Sequence, residues 1–108
     1  MTPDPADPKP DLEKLIAQAR VGDDAAWEVL FRVCYPRVIR VVRRKLTRPM
    51  RSLFDSSDFA NDAFYRLLAD LDHLHFPSLA SLTAYLERSA EQRVIDESRR
   101  RRSPGSPP

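Results

Sequence analysis

Residues 58–71, DFANDAFYRLLADL, decide how this chain folds. Their phenylalanine, alanine and leucine side chains recur at steps of three and four, the spacing of one helix face. The carboxylates of Asp58, Asp62 and Asp70 fall on another side of the same helix. The stretch therefore predicts an amphipathic helix with one buried and one acidic face. Side-chain oxygens at residues 55–57 are in place to cap its first turn.

The acidic face has two interpretations on these residues alone. The helix dipole favours a carboxylate in the first turn, so Asp58 fits an ordinary solvated helix that has no partner. This account explains Asp62 and Asp70 less well, because they lie farther from the helix start. The alternative is a docking surface for a basic partner, in which carboxylates supply orientation and association rate.

Length and composition indicate one small, all-α domain. The chain has 108 residues and only 2 glycines, and its many leucine, alanine, arginine and valine residues favour helices over sheet turns. Proline-rich stretches lie at both ends: residues 1–10 predict a disordered lead, and residues 103–108 a linker toward a missing second domain. Residues 11–102 are left to form a compact bundle of about four helices.

Apolar spacing places the helices that precede the acidic one. A short helix starts after Asp11, whose side chain can cap it, and ends at Gly22, which can adopt a left-handed conformation. A long helix then starts at Asp23 or Asp24 and continues to about Leu46 along one apolar stripe.

Proline and polar residues predict where helices are interrupted. Pro36 lies inside the long helix, where a missing amide donor predicts a kink or a break just before it. Residues 47–54 predict a connector, and residues 72–81 an ordered loop outside any helix. The last helix is expected to start near Ser78 or Ser81 and to end in four consecutive arginines.

Charges are segregated along the chain, although the net charge is only +2. Residues 37–53 hold seven basic side chains and no acidic one, whereas residues 54–74 hold five aspartates and one arginine. A basic helix face is most often merely solvated. Here no interleaved acid neutralises it, which favours a polyanionic partner, most commonly nucleic acid.

Several classes of function lack their usual residues. No phosphate-binding glycine loop, zinc-protease, hydrolase or calcium-loop motif occurs. Cys34 is the only cysteine, and His73 and His75 have no further ligands at a usual spacing. We therefore expect no enzyme activity, no metal and no cofactor. No apolar run approaches the ~20 residues of a membrane span, so we expect a cytoplasmic protein without a membrane partner.

Three stretches of the chain carry a resemblance to a known family. They are LIAQARVGDDAAWEVLFRVCYPRVIRVVRRKL, DSSDFANDAFYRLLADL and SLTAYLERSAEQRVIDESRRRR, in that order. Together they resemble region 2 of a bacterial RNA polymerase sigma factor, in the extracytoplasmic-function (ECF) group of the sigma-70 family, over residues 11–102. The resemblance implies a helical domain that docks on the clamp helices of the large polymerase subunit and opens the minus-ten promoter element during transcription initiation.

The resemblance also implies which residues contact the polymerase. In the family, the middle helix carries an acidic residue, then a glutamine, a second acidic residue and an aromatic one, which meet a basic coiled coil. Asp58, Asn61, Asp62 and Phe64 occupy these positions, with Asn61 where glutamine is usual. Asparagine offers the same amide donors and acceptor over a shorter reach. On this resemblance, docking becomes the preferred interpretation of the acidic face.

A second set of residues is implied for promoter DNA. The family's loop before the last helix captures a base flipped out of the non-template strand, which makes Phe76 a candidate stacking platform. The last helix meets the DNA backbone at the upstream edge of the bubble. Its candidate residues are Tyr85, Arg88, Gln92, Arg93, Arg99, Arg100, Arg101 and Arg102. Glu91 replaces a frequent arginine there, and so either faces away or shifts promoter preference. An anti-sigma protein is a further partner that the resemblance suggests.

The sequence leaves one alternative from a different class of function. A small helical adaptor could use the acidic helix to bind a protein partner while its basic face is only solvated. Salt-sensitive binding to single-stranded promoter DNA distinguishes the two functions. A duplex-binding repressor would need a helix-turn-helix, and no short helix pair with a tight glycine turn is predicted.

Overall fold

The computed structural model describes residues 12–102 and shows an all-α domain, without a strand in that range. The helices are α1 (Leu12–Arg20), α2 (Asp24–Lys45), α3 (Arg48–Arg51), α4 (Ser56–Asp70) and α5 (Leu79–Arg102), with a 3₁₀ turn at Leu71–His73. The predicted all-α class is confirmed. The lead at residues 1–10, the cap at Asp11 and the linker at residues 103–108 lie outside the described residues.

The turn between α1 and α2 follows the prediction closely. Gly22 has a positive φ of 90°, a conformation that costs little energy only for glycine. Asp23 then caps α2, because its Oδ1 accepts hydrogen bonds from the amides of Ala25 and Ala26 at 3.0 and 3.3 Å.

Helix α2 continues through Pro36 without a break, so that part of the expectation at this position is wrong. Proline has no amide to donate to the carbonyl of Arg32, but both residues are exposed, and water can hydrogen-bond this carbonyl. Cys34 and Val38, on either side of the proline, are completely buried. Their burial offsets a proline penalty of about 3 kcal/mol.

Two segments expected to be irregular contain more helix than predicted. Within residues 47–54, the Thr47 hydroxyl accepts a hydrogen bond from the Met50 amide at 3.4 Å and so starts α3, which is a single helical turn. The Met50 side chain of this turn is buried. Within residues 72–81, only 74–78 lie outside helical turns. Ser78 and Ser81 cap α5 reciprocally, with amide-to-hydroxyl distances of 3.1 and 3.3 Å.

The core is one continuous cluster to which all the long helices contribute. α5 packs against α2 and α4, and α2 also contacts α1 and α4. The largest fully buried side chains are Leu30, Leu67, Leu82, Leu86, Val38, Val42, Val94 and Cys34. Leu68, which the apolar spacing assigned to the buried face of α4, is 45% exposed. It therefore lies at the edge of that face and not in its centre.

The start of α4 relies on charge and burial more than on a side-chain cap. Asp55 occupies the cap position, yet its carboxylate forms no capping hydrogen bond. Asp58 lies in the first turn, where its charge interacts favourably with the helix dipole. Phe59 is buried next to it and anchors this turn to the core.

Replacement of Leu67 by alanine is expected to lower the free energy of unfolding by about 3 kcal/mol, because it leaves a cavity in a fully packed core. The neighbouring change Leu68→Ala serves as the control and should alter stability by less than about 0.5 kcal/mol. Urea denaturation followed by circular dichroism measures both. Equal losses in the two variants would contradict the burial described for α4.

Cys34 provides a second test of the core. Burial raises the pKa of its thiol, although Thr83 lies 3.5 Å from the sulfur and the resulting hydrogen bond acts in the opposite direction. Labelling by a thiol reagent should therefore require unfolding and be slow in the native protein. The Leu67→Ala change should accelerate labelling about 100-fold, in proportion to its loss of stability. Labelling of the native protein at the rate of a free thiol would contradict this burial.

Candidate protein-docking and nucleic-acid surfaces

The outer side of α4 presents a strip of exposed residues at helical spacing. Asp58, Asn61, Tyr65 and Leu68 follow one another at steps of three and four, and all are exposed. Asp58 forms no ion pair with any residue that the structure describes. We call these four residues the α4 strip. It combines a free carboxylate, an amide and two apolar groups on one rigid helix.

Asp62 lies on the flank of the α4 strip that faces α5. Its Oδ2 atom is 2.7 Å from Nε of Arg93 on α5 and 3.8 Å from Nε of Arg66 on its own helix. The structure thus brings together a residue expected to bind protein and a residue expected to bind DNA.

Phe64 lies in the core at 2% exposure, beneath the α4 strip. Its ring centroid is 4.6 Å from that of Phe31 and 6.2 Å from that of Trp27. These two α2 side chains, together with Asn61, Phe64 and Tyr65, line a groove between the helices. Phe64 therefore supports the α4 strip from below, while Tyr65 is the exposed aromatic residue.

Sequence reasoning did not select Tyr65 or Leu68 as site residues. Tyr65 is 71% exposed and Leu68 is 45% exposed, a high fraction for such large side chains. A helical projection extended from Asp58 and Asn61 would have found them, because positions 65 and 68 continue the same strip.

The outward face of α5 carries most of the residues that the sequence assigned to DNA. Arg88 and Arg99 are exposed and have no carboxylate partner among the described residues. Gln92 donates to Asp96 at 2.9 Å. Tyr85 is partly buried, and this desolvation raises its pKa, with a further contribution from the charge of Asp70.

The arginines at the end of α5 are not equivalent. Arg100 and Arg101 each lie 3.6 Å from Glu97 of the same helix. Arg101 also lies over the ring of Phe54, at 5.0 Å from its centroid. Arg102 ends the helix, and its side chain is outside the description.

Phe76 is only 7% exposed, and its ring packs edge-on against Tyr85 with 5.5 Å between centroids. The segment before it is held by Arg20 of α1. This guanidinium donates to the Leu71 carbonyl at 3.0 and 3.2 Å and to the Leu74 carbonyl at 2.9 Å. The segment is therefore anchored to α1, and Phe76 lines a pocket beside Arg20 and His75.

A second basic surface covers the C-terminal half of α2 and α3. Its exposed members, none of which has a carboxylate partner within residues 12–102, are Arg37, Arg40, Arg43, Arg44, Arg48 and Arg51. Arg51 donates to the Arg43 carbonyl at 3.1 Å and so ties the two helices together. Lys45 differs from these arginines, because it pairs with Glu91 of α5 at 2.9 Å. Glu91 is thus directed toward α2.

Two features are absent from residues 12–102. This part of the chain contains no group of three or more histidine, cysteine, aspartate or glutamate residues that could hold a metal ion. None of its helices is long and apolar enough to cross a membrane.

Comparison with known proteins identifies the family of this chain. The family model described as ECF sigma factor matches residues 9–104. No curated protein and no solved structure matches the chain. ECF sigma factors are non-enzymatic transcription initiation factors that bind core RNA polymerase and promoter DNA, and often anti-sigma factors. Because the match extends over nearly the whole 108-residue sequence, this chain belongs to the ECF sigma factor family.

Proposed function

We propose that this chain docks on the clamp helices of the large polymerase subunit through α4, and that α5 with its preceding segment binds and opens the minus-ten promoter element. The observation that carries the proposal is the separation of two exposed surfaces on one rigid core. The α4 strip offers a free carboxylate with apolar neighbours, and α5 offers unpaired arginines. An initiation factor has to hold a basic protein and an acidic nucleic acid at the same time.

The α4 strip suits a basic helical partner for three reasons. Asp58 is exposed and lacks a competing cation among the described residues, so its charge is available to an incoming lysine or arginine. Tyr65 supplies a large apolar surface with a polar tip, a combination that is frequent in protein interfaces. Asn61 lies between them and can both donate and accept hydrogen bonds at the surface.

The nucleic-acid part of the proposal assigns different roles to the residues on α5. Arg88 and Arg99 contact phosphates, which supply affinity and salt dependence without sequence information. Gln92 lies on the same face and can hydrogen-bond a base edge. Phe76 receives a flipped base, whose unstacking costs a few kcal/mol.

The alternative of a protein adaptor without a nucleic-acid role shares the α4 strip with this proposal. It treats the arginines of α2, α3 and α5 as solvated side chains. The two functions differ only in what these arginines bind, and the salt-dependence experiment described below separates them.

The change Asp58→Arg is expected to weaken capture of bacterial core RNA polymerase by about tenfold in Kd, because it places a like charge against the basic partner. Asp70→Arg is the matched control, since Asp70 is exposed on the same helix but lies about three turns away from Asp58. Immobilised chain and purified core polymerase are used, after circular dichroism confirms equal helicity. Loss of capture in both variants, or in neither, argues against docking through the α4 strip.

Salt dependence tests the role of α5. Fluorescence anisotropy of a labelled single-stranded oligonucleotide should give a log Kd that rises linearly with log salt concentration. Arg88→Gln and Arg99→Gln should each reduce that slope by about 0.7, the value for one phosphate contact to a single strand. Arg32→Gln on α2 is the control, because Arg32 already pairs with Glu28 at 3.7 Å. Unchanged slopes in both α5 variants would favour the adaptor.

A further inference from the structure

The arginines of α5 differ in what holds them. Arg88 and Arg99 project without a carboxylate partner, and the next two arginines pair within the helix. Arg93 is the only α5 arginine, among those whose side chains the structure describes, that forms an ion pair with another helix. Its partner Asp62 lies beside the α4 strip, so this one contact joins the two candidate binding surfaces.

The geometry of the pair shows a close but poorly directed contact. Oδ2 of Asp62 and Nε of Arg93 are 2.7 Å apart, while the two side chains are 37% and 36% exposed. Both atoms are themselves buried, yet neither forms a hydrogen bond, which means that the N–H is not aligned with the oxygen. Arg66 approaches the same oxygen at 3.8 Å. Oδ2 of Asp62 therefore lies near two guanidinium groups but forms a well-aligned hydrogen bond with neither of them.

Such a contact can be exchanged at low cost. An ion pair whose side chains are one-third exposed contributes little to folding, because water and salt screen it. A basic partner that offers Asp62 aligned N–H donors forms shorter and stronger charge-assisted hydrogen bonds. Asp62 lies one residue from Asn61 and one helical turn from Asp58, so a protein docked on the α4 strip is within reach of its carboxylate.

We propose that Asp62 is exchanged between Arg93 and the docking partner. In the free chain its carboxylate holds Arg93 against α4, and a basic protein surface that takes this carboxylate releases Arg93 to bind a DNA phosphate. The proposal rests on the proposed function and adds a coupling between its two surfaces. Because such coupling is reciprocal, DNA that captures Arg93 also frees Asp62 and strengthens docking.

The released side chain is suited to this second role. Arginine has a long, flexible stem and a planar group that binds phosphate with two parallel hydrogen bonds. Arg93 lies next to Gln92 on the helix that carries Arg88 and Arg99. Successive helix positions lie about 100° apart around the axis, so a free Arg93 adds one cation on the flank of the surface that contains the other two.

Release can be imitated without a polymerase by the change Asp62→Asn in the full chain. The asparagine has the same size but no charge, and Arg93 then loses its ion pair. Binding of the labelled single-stranded oligonucleotide should tighten about fivefold, at the lower end of common coupling strengths. The slope of log Kd against log salt concentration should become steeper by about 0.7, as expected for one additional phosphate contact.

Two controls separate release from a general effect of charge. Asp58→Asn removes the same charge from the same helix but breaks no ion pair, and should produce a smaller gain without a change of slope. In an Arg93→Gln background, Asp62→Asn should produce no gain, because no arginine remains to be released. In an Arg93→Lys background most of the gain should return, a result that a merely structural role of Arg93 does not predict.

Each remaining outcome contradicts the exchange. A gain from Asp62→Asn that persists in the Arg93→Gln background, or that Asp58→Asn reproduces in full, shows a general charge effect. If Asp62→Asn does not tighten oligonucleotide binding, the ion pair with Asp62 does not keep Arg93 from binding DNA. If no variant binds the oligonucleotide even at low salt, the nucleic-acid part of the proposed function fails together with the coupling, whereas capture of core polymerase is unaffected and still tests docking.

Discussion

Burial of one face of α4 against α2 and α5 is the interaction on which the rest of the structure depends. Ala60 and Ala63 are completely buried on this face, and their small side chains let neighbouring helices approach closely. Leu67 and Phe64 fill the space on either side of them. Because this face is occupied by packing, the opposite face of α4 has to lie in solvent. The α4 strip is thus a direct consequence of the core, and its rigidity comes from the same contacts.

Charge has a different role, since it contributes little to the fold and much to the surfaces. The interhelical ion pairs Lys45–Glu91 and Asp62–Arg93 lie on the two flanks of α5, and their side chains remain partly exposed. Pairs of this kind are worth at most about 1 kcal/mol each, far less than the apolar core. These ion pairs determine instead which lysine and arginine side chains are already paired and which are available to a partner.

Local sequence signals predicted most of the helical framework. Gly22 and Asp23 ended one helix and started the next as expected, since their effects act on the adjacent backbone alone. The expectation of a break at Pro36 was wrong because a local effect, the missing amide donor, is outweighed by tertiary packing. The proline removes one hydrogen bond, but the completely buried side chains around it keep α2 continuous. The single turn of α3 has a local signal in its Thr47 cap, but the proline in this stretch favoured a connector, and the turn is stabilised by burial of Met50, a tertiary contact.

The sequence by itself determined the all-α class, the apolar face of α4, the segregation of charge and, through three stretches of residues, the family. These properties depend on spacing and composition, which are independent of how the helices pack. Only the tertiary structure decided which side chains of the motifs reach the surface. It placed Phe64 and Phe76 in the core, exposed Tyr65, and set Asp62 against Arg93, 31 positions away in the chain. A helical period predicts which residues share a face of a helix, but only the packing of neighbouring helices determines whether that face is buried, exposed or paired with another charge.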